Sequence, residues 1–208
     1  MLKSKSVIFT YDGVSKFHFP DVQLEKGASL LVLGDSGVGK TTFIQILAGL
    51  LKSESGKVEL SNTDYNTLSP KEMDQFRGKY IGMIFQKPYF VQNLNIIDNL
   101  LLSLYLSENR QDKKYVIQLL KEIGLGDKLY SMPNKLSQGE QQRASIALAV
   151  IKKPDLILAD EPTSSLDDTN CQKIITLLKE QAAKTNAQLI IITHDNRIKR
   201  QFNNSITL

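Results

Sequence analysis

The sequence lacks the features of secreted and membrane-spanning proteins. Its single cysteine, Cys171, cannot form a disulfide within the chain, which is typical of proteins in a reducing compartment. No apolar run approaches the roughly 20 residues that a helix needs to cross a bilayer. Residues 1–6 carry positive charge, but no long apolar segment follows them, so we expect no signal peptide. The length of 208 residues suits one sizeable core, or a core with a small attached subdomain.

Basic residues are in slight excess and are scattered along the chain. The 26 Lys and Arg against 22 Asp and Glu give a net charge of +4. This excess favours anionic partners, such as nucleotides or a membrane surface. No basic stretch is interleaved with aromatic residues, so we expect no nucleic-acid partner. The pairs Lys113-Lys114 and Lys152-Lys153 are interpreted as solvated helix faces.

One glycine-rich stretch fits a phosphate-binding loop at every fixed position. Residues 34–42 match the pattern G-x-x-x-x-G-K-[ST]. The apolar run at 29–33 predicts a buried strand before the loop, and residues 43–50 predict a helix after it. Strand, glycine loop and helix are the context that the motif requires. The predicted phosphate-binding residues are Gly34, Asp35, Ser36, Gly37, Val38, Gly39, Lys40, Thr41 and Thr42.

The residue types of this loop suit a nucleoside triphosphate and its metal ion. Glycine lets the backbone turn its N–H groups toward phosphate oxygens, and the following helix adds the partial positive charge of its N-terminus. Lys40 can reach the β- and γ-phosphates, and the Thr41 hydroxyl can bind Mg²⁺. The alternatives are a structural turn with a solvated lysine and a dinucleotide fingerprint, which fits worse because no G-x-G-x-x-G occurs here.

The remaining pattern predicts an α/β fold with a mainly parallel sheet. Short alternating runs before residue 33 predict a small antiparallel sheet, and the last third of the chain alternates apolar strands with a helix. From Lys87 to Lys153 apolar residues recur at helical spacing. We therefore expect one domain over 1–208, in which 1–86 and 154–208 form a nucleotide-binding core with a β-subdomain and 87–153 form an inserted helical subdomain. Residues 80–85 are predicted to form a buried strand that ends at Gln86.

A second apolar strand ends in two acidic residues, Asp160 and Glu161. Carboxylates at the C-terminal end of a parallel strand lie where ligands bind in such sheets. Asp160 is predicted to hold Mg²⁺, directly or through water, and Glu161 to act as the base that polarises the attacking water. Such a run is often only a strand that enters a surface loop, but the phosphate loop upstream favours the functional interpretation.

A second helix N-terminus is suited to a phosphate. Residues 136–140 begin a helix predicted at about Gln138 to Ile151, with Ser137 as its cap and Glu140 three residues later. An ordinary capping box explains this pattern by itself. Because the first loop already encloses a triphosphate, one economical solution is a head-to-tail pair of chains, in which each Ser137 helix faces the nucleotide of the other chain.

These motifs together resemble those of the ATP-binding cassette (ABC) ATPases, and the similarity covers essentially the whole chain. The signature of the family corresponds to residues 136–140, with Gln138 where glycine is commonest and Glu140 where glutamine is commonest. Ser137 and Gly139, which in the family approach the γ-phosphate, are kept. The resemblance implies the ABC ATPase fold, binding of ATP and Mg²⁺, and hydrolysis of ATP by a head-to-tail homodimer.

The resemblance also assigns roles to residues that the pattern alone leaves open. Gln86 corresponds to the glutamine that links Mg²⁺ and water to the helical subdomain, and His194 to the histidine that contacts the γ-phosphate. Residues 164–167, which end in Asp167, correspond to the loop that crosses the dimer interface. The position of Tyr11 alone is compatible with a half-buried turn aromatic or with a platform for the adenine ring. The resemblance implies that Tyr11 is the adenine platform.

Within the family, residues 81–86 and the short length look most like the lipoprotein-releasing, macrolide-exporter and cell-division group. That group implies a separate membrane permease as partner and a place on the cytoplasmic face of the membrane, with 87–106 as the candidate docking surface. Such chains usually continue past the last strand, so we expect a trimmed end of the sheet after Leu208.

Three alternatives remain at this point. A soluble cassette ATPase that acts on nucleic acid or ribosomes would share every motif, although it usually carries additions that this length excludes. A regulatory GTPase would need Asn-Lys-x-Asp, and the nearest match at 134–137 lacks the acid. A nucleotide-gated binding module without turnover is the third, because Gln138 and Glu140 are not the commonest residues of the signature.

Overall fold

The computed structural model of the protein describes residues 1–164 and 166–208, which form two sheets and the helices that cover them. Short 3-10 turns lie at 65–67, 133–135 and 196–201. The strands are β1 (Leu2–Thr10), β2 (Lys16–His18), β3 (Val22–Leu24), β4 (Ser29–Leu33), β5 (Ser55–Leu60), β6 (Thr63–Asp64), β7 (Ile81–Ile84), β8 (Leu156–Asp160), β9 (Gln188–Thr193) and β10 (Ser205–Thr207). The helices are α1 (Lys40–Leu47), α2 (Pro70–Tyr80), α3 (Ile96–Leu106), α4 (Lys113–Glu122), α5 (Gln138–Val150) and α6 (Asp168–Thr185).

The first sheet is antiparallel and follows from the short alternating runs of the N-terminal region. Its order is β2-β1-β5-β6, and β3 also pairs with β1. The register of β1 against β5 shifts between Lys5 and Ile8, where Ser6 has a φ of 51°, so the long strand bends at a bulge. The predicted antiparallel subdomain is thus observed.

The second sheet is parallel, in the order β10-β4-β9-β8-β7. Every residue of β8 and β9 is buried, which explains why these strands are nearly continuous apolar runs. The register pairs Leu33 with Thr193, and Asp160 with Ile192. Because parallel strands end at one edge, the segments that follow β4, β7, β8 and β9 all leave the sheet on the same side.

Alternate residues of these strands supply two cores, one on each face of the parallel sheet. Leu31, Ile157 and Ile191 belong to a core formed with α3 to α6. Val32 and Ile190 belong to a core formed with α1 and the antiparallel sheet. Burial of each such side chain stabilises the fold by about 1.5–3 kcal/mol, so the sheet is anchored from both sides.

The fold class and the order of elements expected from the sequence are confirmed, with small differences in their bounds. The strand predicted at 80–85 is shorter because Tyr80 completes α2 and only 81–84 pair with β8. The helix after the phosphate loop begins at Lys40, directly after Gly39, rather than at 43. The predicted capping box at Ser137 is formed, and a second one lies at Ser69, at the start of α2. The division into subdomains at 86 and 153 stays a prediction.

The helices of the described residues are also too short or too polar to span a lipid bilayer.

The packing of α5 on β7 depends on the glycine at position 82. A Cβ added to Gly82 would overlap the carbonyl oxygen of Ala149 and lie 3.1 Å from Pro154 Cγ. We expect Gly82→Ala to force these elements apart and to lower the free energy of unfolding by about 1–3 kcal/mol. Urea denaturation, followed by circular dichroism, measures the change.

Gly78→Ala is the matched control. The nearest atom to its added Cβ is the Leu106 carbonyl oxygen at 3.9 Å, and alanine is favoured over glycine in a helix by about 0.8–1.0 kcal/mol. Equal effects of the two substitutions would contradict the close approach at Gly82.

Candidate functional site

The phosphate loop joins β4 to α1 and holds its lysine in a fixed position. Gly37 and Gly39 have φ angles of 88° and 97°, and a Cβ on Gly39 would lie 2.8 Å from the Phe17 ring, so glycine is required there. Lys40 is buried, and its Nζ donates hydrogen bonds of 2.8 Å to the carbonyls of Gly34 and Asp35. Both acceptors are neutral carbonyl groups, so neither of these two contacts is an ion pair that would compete with a phosphate.

Glu161 follows β8 and carries a buried carboxylate that is fixed by three donors. The Thr193 hydroxyl donates to its Oε2 at 2.8 Å, and the His194 backbone N–H donates to its Oε1 at 3.1 Å. The His194 Nδ1 lies 2.8 Å from the same Oε1. Glu161 also has a φ of 49°, an unusual conformation for a non-glycine residue that costs roughly 1–3 kcal/mol and is often found at functional sites. Glu161 and His194, which were predicted separately as site residues, are therefore in direct contact.

Asp160, the last residue of β8, is buried and has a carboxylate oxygen without a partner. Its Oδ1 makes no hydrogen bond among the residues that the structure describes. Burial raises the pKa of Asp160, and the Thr41 hydroxyl and the Lys40 ammonium oppose that rise. An orphaned carboxylate oxygen near a threonine hydroxyl is the donor set of a hard divalent cation.

Within the described residues, no group of three or more His, Cys, Asp or Glu side chains could hold a metal ion. A cation at Asp160 would therefore take most of its ligands from phosphate oxygens and water. This is the binding mode that Mg²⁺ prefers.

Tyr11 lies beside the same loop. Its hydroxyl is 3.0 Å from the Thr42 hydroxyl, and its ring packs edge-on against Phe9 and Phe17 with centroid distances of 4.7 and 6.2 Å. The side chain is nevertheless 65% exposed, so it is not the half-buried turn aromatic that the sequence left open. An exposed ring tied to the start of α1 is available for stacking.

The other predicted site residues lie at the ends of β7, α5 and α6. Gln86 is exposed two residues beyond β7, at the same edge of the sheet. Ser137 is the exposed N-cap of α5, where its backbone N–H donates to Glu140 Oε2 at 2.7 Å. Asp167 caps α6 by accepting from the Asn170 N–H at 2.9 Å, which lowers the pKa of Asp167. Gly139 lies in the first turn of α5, and Ser165 of the predicted interface loop lies outside the described residues.

A network beside the Glu161 carboxylate was not predicted from the sequence. Asp195 is buried and accepts from Arg197 Nε at 2.9 Å, and this ion pair lowers the pKa of Asp195. Arg197 also pairs with Asp168 at the start of α6, so the segment after β9 is tied to the segment after β8. The sequence Thr193-His194-Asp195 marked this region, but no spacing in the sequence reveals a contact between residues 168 and 197.

Comparison with known proteins supports the family that the motifs suggest. A family model described as "ABC transporter" matches residues 18–164. The lipoprotein-releasing system ATP-binding protein LolD of Buchnera aphidicola subsp. Acyrthosiphon pisum is 37% identical over 90% of this chain and 82% of that protein. The macrolide export ATP-binding/permease protein MacB of Rhodopirellula baltica is 35% identical over 86% of this chain and 27% of that protein.

A solved structure matches over the full length of the chain. It is a dimeric, post-hydrolysis state of an ATP-binding cassette bound to ADP and Pi, and it is 31% identical, with a TM-score of 0.89 over 100% of this chain and 94% of that chain. The observed fold, the phosphate loop and these relatives agree with one another. The chain therefore belongs to the ABC transporter family, as an ATP-binding cassette that hydrolyses ATP.

Proposed function

We propose that this chain is the ATPase subunit that drives a separate membrane permease, and that its active site is completed by a second copy of the chain. One observation carries the proposal. The phosphate loop, Asp160, Glu161 and His194 follow strands that end at one edge of the sheet, whereas Ser137 is an exposed cap of α5 that bonds Glu140. A single chain thus holds two half-sites for one nucleotide.

The nucleotide would bind along the loop between β4 and α1. Residues 34–42 would hold the phosphates with their backbone N–H groups, and Lys40 would contact the β- and γ-phosphates. The exposed ring of Tyr11 would stack on the adenine. Thr41, Asp160 and Gln86 would hold Mg²⁺, which when bound neutralises charge that develops on the phosphate oxygens.

Hydrolysis would use the fixed carboxylate of Glu161. Its oxygens are oriented by Thr193 and His194, so it can accept a hydrogen bond from the water that attacks the γ-phosphoryl group. The His194 side chain is 56% exposed and bonds Glu161 through Nδ1, which leaves Nε2 available to contact the γ-phosphate. Orientation of water and charge stabilisation, rather than covalent chemistry, would thus supply the rate.

The second half-site would come from the signature residues of the partner copy. Among the described residues, a Cβ on Gly139 would meet only Arg143 Nη1, at 3.7 Å, so their packing does not require glycine there. Close approach of a phosphate bound to the partner copy would explain why position 139 is a glycine. Ser137 would contact the same γ-phosphate across the interface, and Asp167 would lie at that interface. The dimeric form of the solved relative supports this arrangement.

The permease would dock on 87–106, the segment that leads from the sheet edge into the helices. It exposes Tyr89 and Val91 beside a cavity of about 480 Å³. Exposed apolar side chains around a cavity are typical of a protein interface. The chain would then lie on the cytoplasmic face of the membrane, with the permease selecting the cargo. The relatives named above belong to transport systems, which leaves the nucleic-acid alternative without support.

Glu161→Gln separates nucleotide binding from hydrolysis. It keeps the buried site and the ATP contacts but removes the base, so we expect turnover to fall by about 10²–10⁴-fold. The variant should then form a stable ATP-bound dimer. Size-exclusion chromatography with light scattering, in the presence of ATP, measures its molar mass. Lys40→Ala is the control, because it should weaken ATP binding and leave a monomer. A monomeric Glu161→Gln protein at saturating ATP would contradict the composite site.

Gly139→Ala tests the second half-site directly. Alanine is favoured in a helix, so the midpoint of unfolding should be unchanged or slightly raised. In the Glu161→Gln background the added methyl group should obstruct the partner's phosphate and reduce the ATP-dependent dimer. An undiminished dimer would show that this glycine is not approached by the partner's nucleotide.

Copurification tests whether the chain is bound to a membrane permease. The tagged chain should recover an integral membrane protein in stoichiometric amount from native membranes, together with ATPase activity. Mass spectrometry identifies the partner. Recovery of an active ATPase bound to nucleic acid or ribosomes instead would overturn the transporter assignment.

A further inference from the structure

The structure brings together basic residues that are far apart in the sequence. A surface cavity of about 500 Å³ lies between the end of α3, the start of α4 and the end of α5. Its lining includes Arg110, Lys114, Lys152 and Lys153. Lys114 and the pair Lys152-Lys153, which were interpreted as parts of separate solvated faces, therefore line one concave site.

These cations are not neutralised by neighbouring acids. Asp112 is the one acidic residue of the described lining, and its carboxylate caps α4 by accepting from the backbone N–H groups of Lys114 and Tyr115 at 3.0 and 3.2 Å. None of the ion pairs within residues 1–164 and 166–208 involves the four basic residues of the cavity. The cavity thus presents several positive charges to one ligand-sized space.

The lysine at the base of the cavity is held in place but not paired. Lys152 Nζ donates to the Arg77 carbonyl oxygen at 3.2 Å. Burial and the nearby Arg77 charge lower the pKa of Lys152 to about 8. An anion bound in the cavity would offset the free-energy cost of burying the positive charge of Lys152. Lys153, with its Nζ 4.9 Å from the centroid of the Tyr115 ring, is likewise positioned by a contact that leaves its charge available.

Two exposed apolar side chains directly follow Leu104, which lines the cavity. Tyr105 and Leu106, at the end of α3, are 64% and 70% exposed. A tyrosine and a leucine next to clustered cations are the combination that settles at a bilayer surface. Lys152 also lines the neighbouring apolar cavity on the 87–106 face, so the basic cavity is continuous with the proposed permease-docking surface.

We propose that this basic cavity binds the phosphate of an anionic phospholipid headgroup at the membrane surface beside the permease. The Arg110 guanidinium suits two phosphate oxygens at once, and the lysines add point charges. Tyr105 and Leu106 would enter the interface between headgroups and acyl chains. The inference rests on the proposed function only for the presence of a membrane on this side.

Vesicle sedimentation with the purified full-length chain tests the proposal without a permease. Wild type should sediment with vesicles of phosphatidylcholine and phosphatidylglycerol, and much less with phosphatidylcholine alone. The variant Arg110→Gln/Lys114→Gln/Lys153→Gln should partition about 100-fold less, since each of the three basic residues contributes roughly fivefold near an anionic surface. Binding should also fall as salt concentration rises.

A matched control removes the same charge elsewhere. Lys5, Lys26 and Lys199 are exposed and lie outside the lining of the cavity, and their triple change to glutamine should leave vesicle binding near the wild-type value. Equal losses in both triple variants would overturn the proposal in favour of overall charge. Equal binding to neutral and anionic vesicles would overturn it as well.

Two further measurements identify other occupants. If inorganic phosphate stabilises wild type but not the cavity variant, while both sediment equally with anionic vesicles, the cavity binds free phosphate and the proposal fails. If the variant keeps vesicle binding but loses the permease in neutral nanodiscs, an acidic segment of the permease is the ligand. ATPase activity and copurification of the same variants report on the proposed function separately.

Discussion

The pairing of β8 with β9 is the constraint on which the rest of the site depends. Its register places Asp160 opposite Ile192, so the residues that follow the two strands, Glu161 and His194, emerge side by side. A slip of one residue would turn every side chain of a strand to the other face. Burial of the strands on both faces stabilises this register by about 1.5–3 kcal/mol for each large apolar side chain. That stabilisation offsets the roughly 1–3 kcal/mol that the φ of 49° at Glu161 costs.

The extent to which sequence could predict this protein depended on the range of each interaction. The capping box at Ser137, the apolar strands and the glycine loop are set by residues within a few positions of one another, and all were predicted. The Thr193 hydroxyl on Glu161 and the pair of Arg197 with Asp168 join segments about 30 residues apart. The basic cavity joins 110–114 to 152–153 in the same way. Such contacts follow from how helices pack on the sheet, which periodicity alone does not specify.

The unusual glutamate of the signature is balanced by its surroundings. Glu140 accepts from the Ser137 backbone N–H, which lowers the pKa of Glu140 and keeps it charged. A negative charge one residue from Gly139 would repel a phosphate at the proposed half-site. Lys128 Nζ lies 3.5 Å from Glu140 Oε1 and opposes that charge. Glu140 can therefore stand where glutamine is commoner, because the capping box and Lys128 hold its negative charge in contact with other groups.

Helix α5 connects the proposed events at the two ends of the helical region. It begins at the signature residues and ends beside Lys152, and its 13 residues span about 20 Å at 1.5 Å per residue. The contact of Ala149 with Gly82 fixes its C-terminal half against β7, the strand that leads to Gln86. Because α5 is held this closely against β7, we expect the two elements to move together. After Gly139, α5 contains no glycine or proline at which it would bend. If a partner's nucleotide bound Ser137 and Gly139, α5 and the surface beside Lys152 at its other end would therefore move together.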